Sequence, residues 1–211
     1  MTRPDRTALL MVECQRGVVG DLSVLPDLAA LAQPVLERIG YLATEARRAG
    51  VTVVHLTYRP LAGGRSTNQR SPLTRSTSTT AGWGPDNPGA DVVPQIAVDP
   101  GDLLFERHQG ISPVHRTEVL AVLRNLGVEE VVVAGVSTNL AVPLVAVAAS
   151  DEDFAVTVAR DASVGVPASH HDSMLSYSLA FVARLATVDD IVAGWRGDDE
   201  LAADQGRTRP A

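Results

Sequence analysis

The chain predicts an α/β fold: a single-domain three-layer α/β/α sandwich built on a mainly parallel sheet. Three observations carry that reading. Short apolar runs rich in β-branched residues alternate with longer stretches of helical period. The runs are apolar on consecutive residues, as strands buried on both faces require. A length of 211 residues suits one domain with a substantial core.

Each element follows in order. Thr7 to Glu13, TALLMVE, reads as a fully buried strand. Asp27 to Gly50 places Leu28, Leu31, Val35, Ile39 and Leu42 at spacings of three and four, an amphipathic helix closed by Gly50. Pro34 predicts a kink or a late start. Val51 to Pro60 is a second buried strand. Pro60 to about Asp99 is rich in Gly, Ser, Thr, Asn and Pro and carries Arg65, Arg70 and Arg75. It reads as a long functional loop. Asp102 to Arg107 is the third strand, Thr117 to Asn125 a helix ended near Gly127, and Val128 to Val136 the fourth strand. A helix then runs to Ser150, with core favoured over interface for its apolar side chains. Phe154 to Ala162 is the fifth strand and His170 to Leu185 a helix. Ala186 to Val188 is a short edge strand and Asp189 to Trp195 a last helix. The domain spans residues 1–196, and 197–211 reads as a polar, flexible tail.

Composition narrows the function. The formal net charge of −7 disfavours nucleic acid as a partner. No Lys occurs, so all 18 basic residues are Arg and lysine Schiff-base chemistry is excluded. Cationic roles fall to guanidinium, a rigid fork of donors. The single cysteine, Cys14, allows no intrachain disulfide. The first residues hold too short an apolar run for a signal peptide or a membrane span, so a cytoplasmic protein without a membrane partner is expected. No metal-ligand motif of the H-E-x-x-H or C-x-x-C kind is present, and neither metal nor cofactor is expected.

In sheets of this type ligands bind beyond the carboxyl ends of the strands. That rule selects Glu13, Arg107 and the segment from Gly135 to Ala141. A carboxylate closing a buried strand is expected to be partly desolvated, which favours an acid; a neighbouring Arg opposes that. Alternation sends Glu106 and Arg107 to opposite faces, so one of them points toward the cleft. Thr138-Asn139 can cap the following helix and aim its first N–H groups at the cleft. Pro143 falls near its first turn, where it does least damage. Ala141 occupies the place best suited to a nucleophile, and Ser137 or Thr138 could replace it only with a base alongside. Cys14 is expected to be an inert buried thiol.

Taken together, TALLMVECQRGVVG, VTVVHLTYRP, DLLFERHQGISPVHRTEV, NLGVEEVVVAGVSTNLAV and FAVTVARDASVGVP resemble the isochorismatase-like, or cysteine hydrolase, superfamily from about Thr7 to Trp195. That resemblance implies an Asp–Lys–Cys triad whose positions here hold Glu13, Arg107 and Ala141. It also implies a non-proline cis peptide at Val136-Ser137 and assembly as a dimer or tetramer. Nicotinamidases of the family bind a metal in the second-strand region, where this chain has His55. Amidases of the family attack through the Cys, which Ala141 cannot do. Isochorismatases lack it too and cleave a vinyl ether by protonation. By similarity, Glu13 supplies an acid, and Arg107 with Arg70 or Arg75 clamps a small anionic substrate. Trp83, Val136, Ser137 and Thr138 are further candidate contacts. The resemblance thus implies a hydrolase using acid catalysis without a covalent intermediate. The alternative is a catalytically silent relative kept for binding or assembly.

Overall fold

The computed structural model describes residues 3–61, 65–66, 70–78 and 86–207, with side chains at 3–61, 65–66, 70–75 and 86–197. Six parallel strands form one sheet: β1 (Thr7–Val12), β2 (Thr52–Tyr58), β3 (Leu103–Arg107), β4 (Glu130–Val136), β5 (Ala155–Val164) and β6 (Arg184–Ala186). Their order is β3-β2-β1-β4-β5-β6, so the chain reverses direction across the sheet between β1 and β4. The crevice at that switch point lies beyond the ends of β1 and β4. Among the described residues no helix is long and apolar enough to cross a membrane.

β1 shows why consecutive apolar residues were required. Leu9 and Met11 enter a core shared with α2 (Pro26–Ala49) and α7 (Val188–Arg207). Ala8, Leu10 and Val12 enter the opposite core, with α4 (Val119–Asn125) and α5 (Ala141–Asp151). Burying each of the larger side chains stabilises the fold by about 1.5–3 kcal/mol, so both faces reward apolar residues. α5 divides its own surface: Val142, Val145, Ala146 and Ala149 are buried, whereas Leu144 and Val147 are exposed.

Several elements depart from the sequence reading. α2 begins at Pro26, ahead of Pro34, and continues through it to Ala49. Pro34 lies on the exposed side of the helix, where water can satisfy the carbonyl left without a partner. Gly50 closes α2 in the left-handed conformation, φ 79°, as expected. The long loop contains α3 (Pro72–Ser78), and a short α1 (Arg16–Val19) follows β1. α6 (Ala168–Tyr177) ends at Tyr177 instead of Leu185. The edge strand is shifted two residues earlier than expected, Arg184–Ala186 in place of Ala186 to Val188, with Leu185 paired to Val158 and Ala186 to Ala159. α7 runs past Trp195 to Arg207.

Away from the crevice, a buried polar cluster pins α2 to the sheet. Arg47 of α2 donates to both Asp102 carboxylate oxygens at 3.0 and 2.6 Å, and His55 Nε2 lies 2.8 Å from one of them. Asp102 and His55 are 2% and 1% exposed, so these partners replace water. Burial pushes the His55 imidazole down against the pull of Asp102. Burial also opposes ionisation of Asp102, yet the bonds from Arg47, the Asp99 N–H and His55 together hold its carboxyl below the usual range.

Asp102→Ala is therefore expected to cost about 2–3 kcal/mol in urea unfolding, because it leaves the buried His55 imidazole and the part-exposed Arg47 guanidinium without their shared carboxylate. The folded state disfavours a proton on His55, so stability falls as pH drops below the free imidazole value of 6.5. Asp102 adds a further loss as pH passes below 3.8 toward its depressed folded value. His55→Gln should shrink the decline between pH values of about 7.5 and 5.5; an unchanged decline contradicts the assignment.

Candidate active site

The carboxyl edge of the sheet gathers three of the positions selected from sequence. Glu13 directly follows β1, and its N–H donates to the Leu56 carbonyl at 2.9 Å. Its φ is 50°, a left-handed conformation that a side chain other than Gly, Asn or Asp seldom adopts. The Gln15 N–H donates back to the Glu13 carbonyl at 2.8 Å and holds the turn. Such a residue costs on the order of 1 kcal/mol and persists only where its surroundings hold it.

Arg107 ends β3 and is the inward member of the Glu106–Arg107 pair. It donates from Nη2 to Glu13 and from Nη1 to the Gly110 carbonyl at 2.7 Å. Glu106 turns the other way, to Arg59 at 2.6 Å. The Arg107 guanidinium sits 4.5 Å from the centre of the Tyr58 ring, a cation–π contact. Arg107 Nε is buried with no hydrogen-bond partner among the described residues. Tyr58 is itself held by Gln15, whose side chain accepts from the Tyr58 N–H at 2.8 Å and donates to its carbonyl at 2.9 Å.

The third side of the site is the turn from β4 to α5. The peptide bond between Val136 and Ser137 is cis. Gly135 lies opposite Val12, with φ +114°, and a β-carbon there would meet the Val12 carbonyl oxygen at 2.4 Å. Only glycine lets β4 pass so close to β1 beneath the site. The Ser137 carbonyl takes the N–H groups of Leu140 and Val142 at 3.2 and 3.1 Å. These early donors of α5 are thus spent within the turn rather than aimed at the cleft.

Thr138 and Asn139 do not cap α5, whose capping residue is Leu140 without a side-chain bond. Instead Thr138 Oγ1 lies 2.9 Å from His171 Nδ1, and Asn139 makes two bonds to the Val166 backbone. Gly165 allows this packing, since a β-carbon there would lie 2.3 Å from Thr138 Oγ1. Burial lowers the proton affinity of His171, and nearby Asp172 opposes that effect. Thr138 thus has a base alongside, but it is fully buried and is not part of the cavity wall. Val136 is likewise buried in the core beneath the site.

Glu13, Arg107, Ser137 and Ala141 together border a cavity of about 390 Å³. The rest of its described wall is mainly apolar and includes Val18, Leu28, Leu73, Ile111, Leu140 and Val166. Sequence reasoning missed the contributions of the α1–α2 turn and of Tyr58. It also placed the loop cations differently: Arg70 and Arg75 are exposed and absent from the described wall, where Leu73 and Thr74 of α3 stand instead. The expected contact at Trp83 lies outside the described residues. Among the described residues no three His, Cys, Asp or Glu side chains gather as metal ligands. His55 is engaged with Asp102 beside the Arg47 guanidinium, a cationic neighbour unsuited to a metal.

Known proteins share this architecture. Residues 7–190 match the model of the isochorismatase domain. A cysteine hydrolase structure from Pseudomonas syringae pv. phaseolicola 1448A has a TM-score of 0.77 at 20% identity, covering 93% of this chain and 95% of that one. An isochorismatase family protein from Burkholderia thailandensis has a TM-score of 0.76 at 21% identity, covering 91% and 96%. The zinc complex of a pyrazinamidase from Pyrococcus horikoshii has a TM-score of 0.72 at 19% identity, covering 86% and 99%. A comparison with curated proteins finds no match. At these identities the structural likeness concerns the fold.

Thiol chemistry provides a direct check on the site. Cys14 is 3% exposed, and burial, reinforced by the Glu13 charge, pushes its pKa up to about 12. The native protein should therefore resist a thiol reagent until it unfolds. Ala141→Cys should add one thiol that reacts in the folded state. A folded Ala141→Cys variant that fails to react would mean that position 141 is closed to the cavity.

Proposed function

This chain belongs to the isochorismatase family, and we propose that it is a small-molecule hydrolase that works by proton transfer without a covalent cysteine intermediate. The observation supporting this most strongly is that the Glu13–Arg107 pair borders an open cavity beside the methyl group of Ala141. Glu13 is 16% exposed and Arg107 9%, so the pair is largely withdrawn from water yet still reachable.

Hydrolysis without a covalent nucleophile requires a proton for the leaving group, a clamp for the substrate and a water molecule. Arg107 offers the clamp, since guanidinium binds a carboxylate through two parallel N–H bonds. Arg107 is the only cation among the described residues of the wall, so the substrate carries one anionic group or a polar equivalent. Drawing the guanidinium onto that group separates it from Glu13, whose carboxyl then faces the substrate and the apolar part of the wall. Glu13 then gives its proton to the departing oxygen as the bond to carbon breaks. Water adds its hydroxyl to that carbon and returns a proton to Glu13, so the cycle closes. The Ser137 hydroxyl, at the cavity wall, can orient the water.

One observation favours a binding protein as the second reading. Glu13 and Arg107 already pair with each other, and Arg107 is tied to Gly110 as well, so the two charges of the resting site are matched without a substrate.

A panel of vinyl ether, ester and amide substrates separates the two. Glu13→Gln is expected to lower kcat/KM by about 100-fold or more, with circular dichroism confirming the fold. Equal turnover in wild type and variant would remove Glu13 from the mechanism. Binding without turnover of any substrate would favour the silent reading.

A further inference from the structure

We infer that the cavity selects molecules with an apolar body and a single polar head, and discriminates against dianions. The inference rests on the proposed site and specifies the class of molecule it takes. Its described wall carries Glu13, Arg107 and Ser137 where the strands end, with Tyr58, Asp27, Thr74 and an Asn139 amide already bonded to the Val166 backbone as its other polar side chains. The rest of the wall is mainly aliphatic: Val18, Leu28, Leu73, Ile111, Leu140 and Val166 come to it from segments far apart in sequence. A volume of about 390 Å³ is in the range of small-molecule sites.

Charge reinforces the selection. The charged residues of the described wall are Arg107, Glu13 and Asp27, with Asp27 in the exposed first turn of α2. One positive group stands against two negative ones. A single carboxylate or amide can take Arg107. A second anionic group would meet aliphatic side chains, Thr74 or Asp27, losing hydration without a counter-charge among the described residues of the wall. A methylene chain in the same place gains with every carbon it buries.

Binding measured by calorimetry tests this without any reaction. The probes are straight-chain monocarboxylates from butyrate to octanoate, the matching primary amides, and octanedioate as the dianion. Each buried methylene is expected to tighten binding about two- to fourfold until the cavity is full. Octanoate or octanamide should thus bind at least tenfold more tightly than its four-carbon analogue, and octanedioate at least tenfold more weakly than octanoate. Leu73 and Leu140 are part-exposed at 38% and 45%, so the Leu73→Ser/Leu140→Ser double variant should remain folded. It should reduce the gain per methylene severalfold. Affinity independent of chain length, octanedioate binding as well as octanoate, or an unchanged gain in the folded double variant would each overturn the inference. A chain-length gain with no turnover of apolar esters or vinyl ethers would refute the hydrolase reading alone. Turnover of a polar dianion with no chain-length gain would refute this inference alone.

Discussion

The site is organised by one ion pair that spans two non-adjacent strands. Glu13 leaves β1 and Arg107 ends β3, with β2 lying between them in the sheet. Tyr58, the last residue of β2 and the register partner of Arg107, presents its ring to the guanidinium of that pair. Tyr58 is fixed in turn by the fully buried Gln15 amide, which also donates to the Ala90 carbonyl at 2.7 Å. A single short segment, Glu13 to Gln15, therefore supplies the carboxylate, the turn that aims it and the amide that sets its partner's platform. The left-handed turn at Glu13 is the local cost of this arrangement.

Ala141 gives that pair its setting. The position begins α5 and faces the cavity with a methyl group, so nothing there can form a covalent bond to a substrate. What remains beside it is a carboxylate, a guanidinium and a hydroxyl, a set that can move protons and hold polar groups. The mainly apolar walls make those few groups count for more, because an ion pair partly removed from water responds strongly to any new charge placed beside it. Packing also keeps Thr138 out of the described cavity wall: it is buried, with its hydroxyl against His171.

The central sheet was legible in the sequence because fully buried strands leave a plain mark, an apolar run without alternation. TALLMV is the clearest case, with side chains feeding two cores. The ends of strands located Glu13 and Arg107, and alternation separated Arg107 from Glu106. Which of the two faced inward depended on partners from other strands, which no local pattern contains. The cavity walls were hidden for the same reason, since Val18, Leu28 and Leu73 converge only after folding. α3 left a fainter trace: Ser71 precedes Pro72, and its hydroxyl accepts from the Thr74 N–H at 3.1 Å, a start signal within a polar loop. The extent of α6 was misread because His170 to Leu185 looks continuous, whereas Leu185 gains more by pairing with Val158 in the sheet.

The most direct test is a crystal structure of the protein with hexanoate bound. Its carboxylate is expected on the Arg107 guanidinium, with Glu13 separated from Arg107 and the alkyl chain between Leu28, Leu73 and Ile111. A ligand bound elsewhere, or a cavity filled by side chains with the Glu13–Arg107 pair unmoved, would contradict this placement.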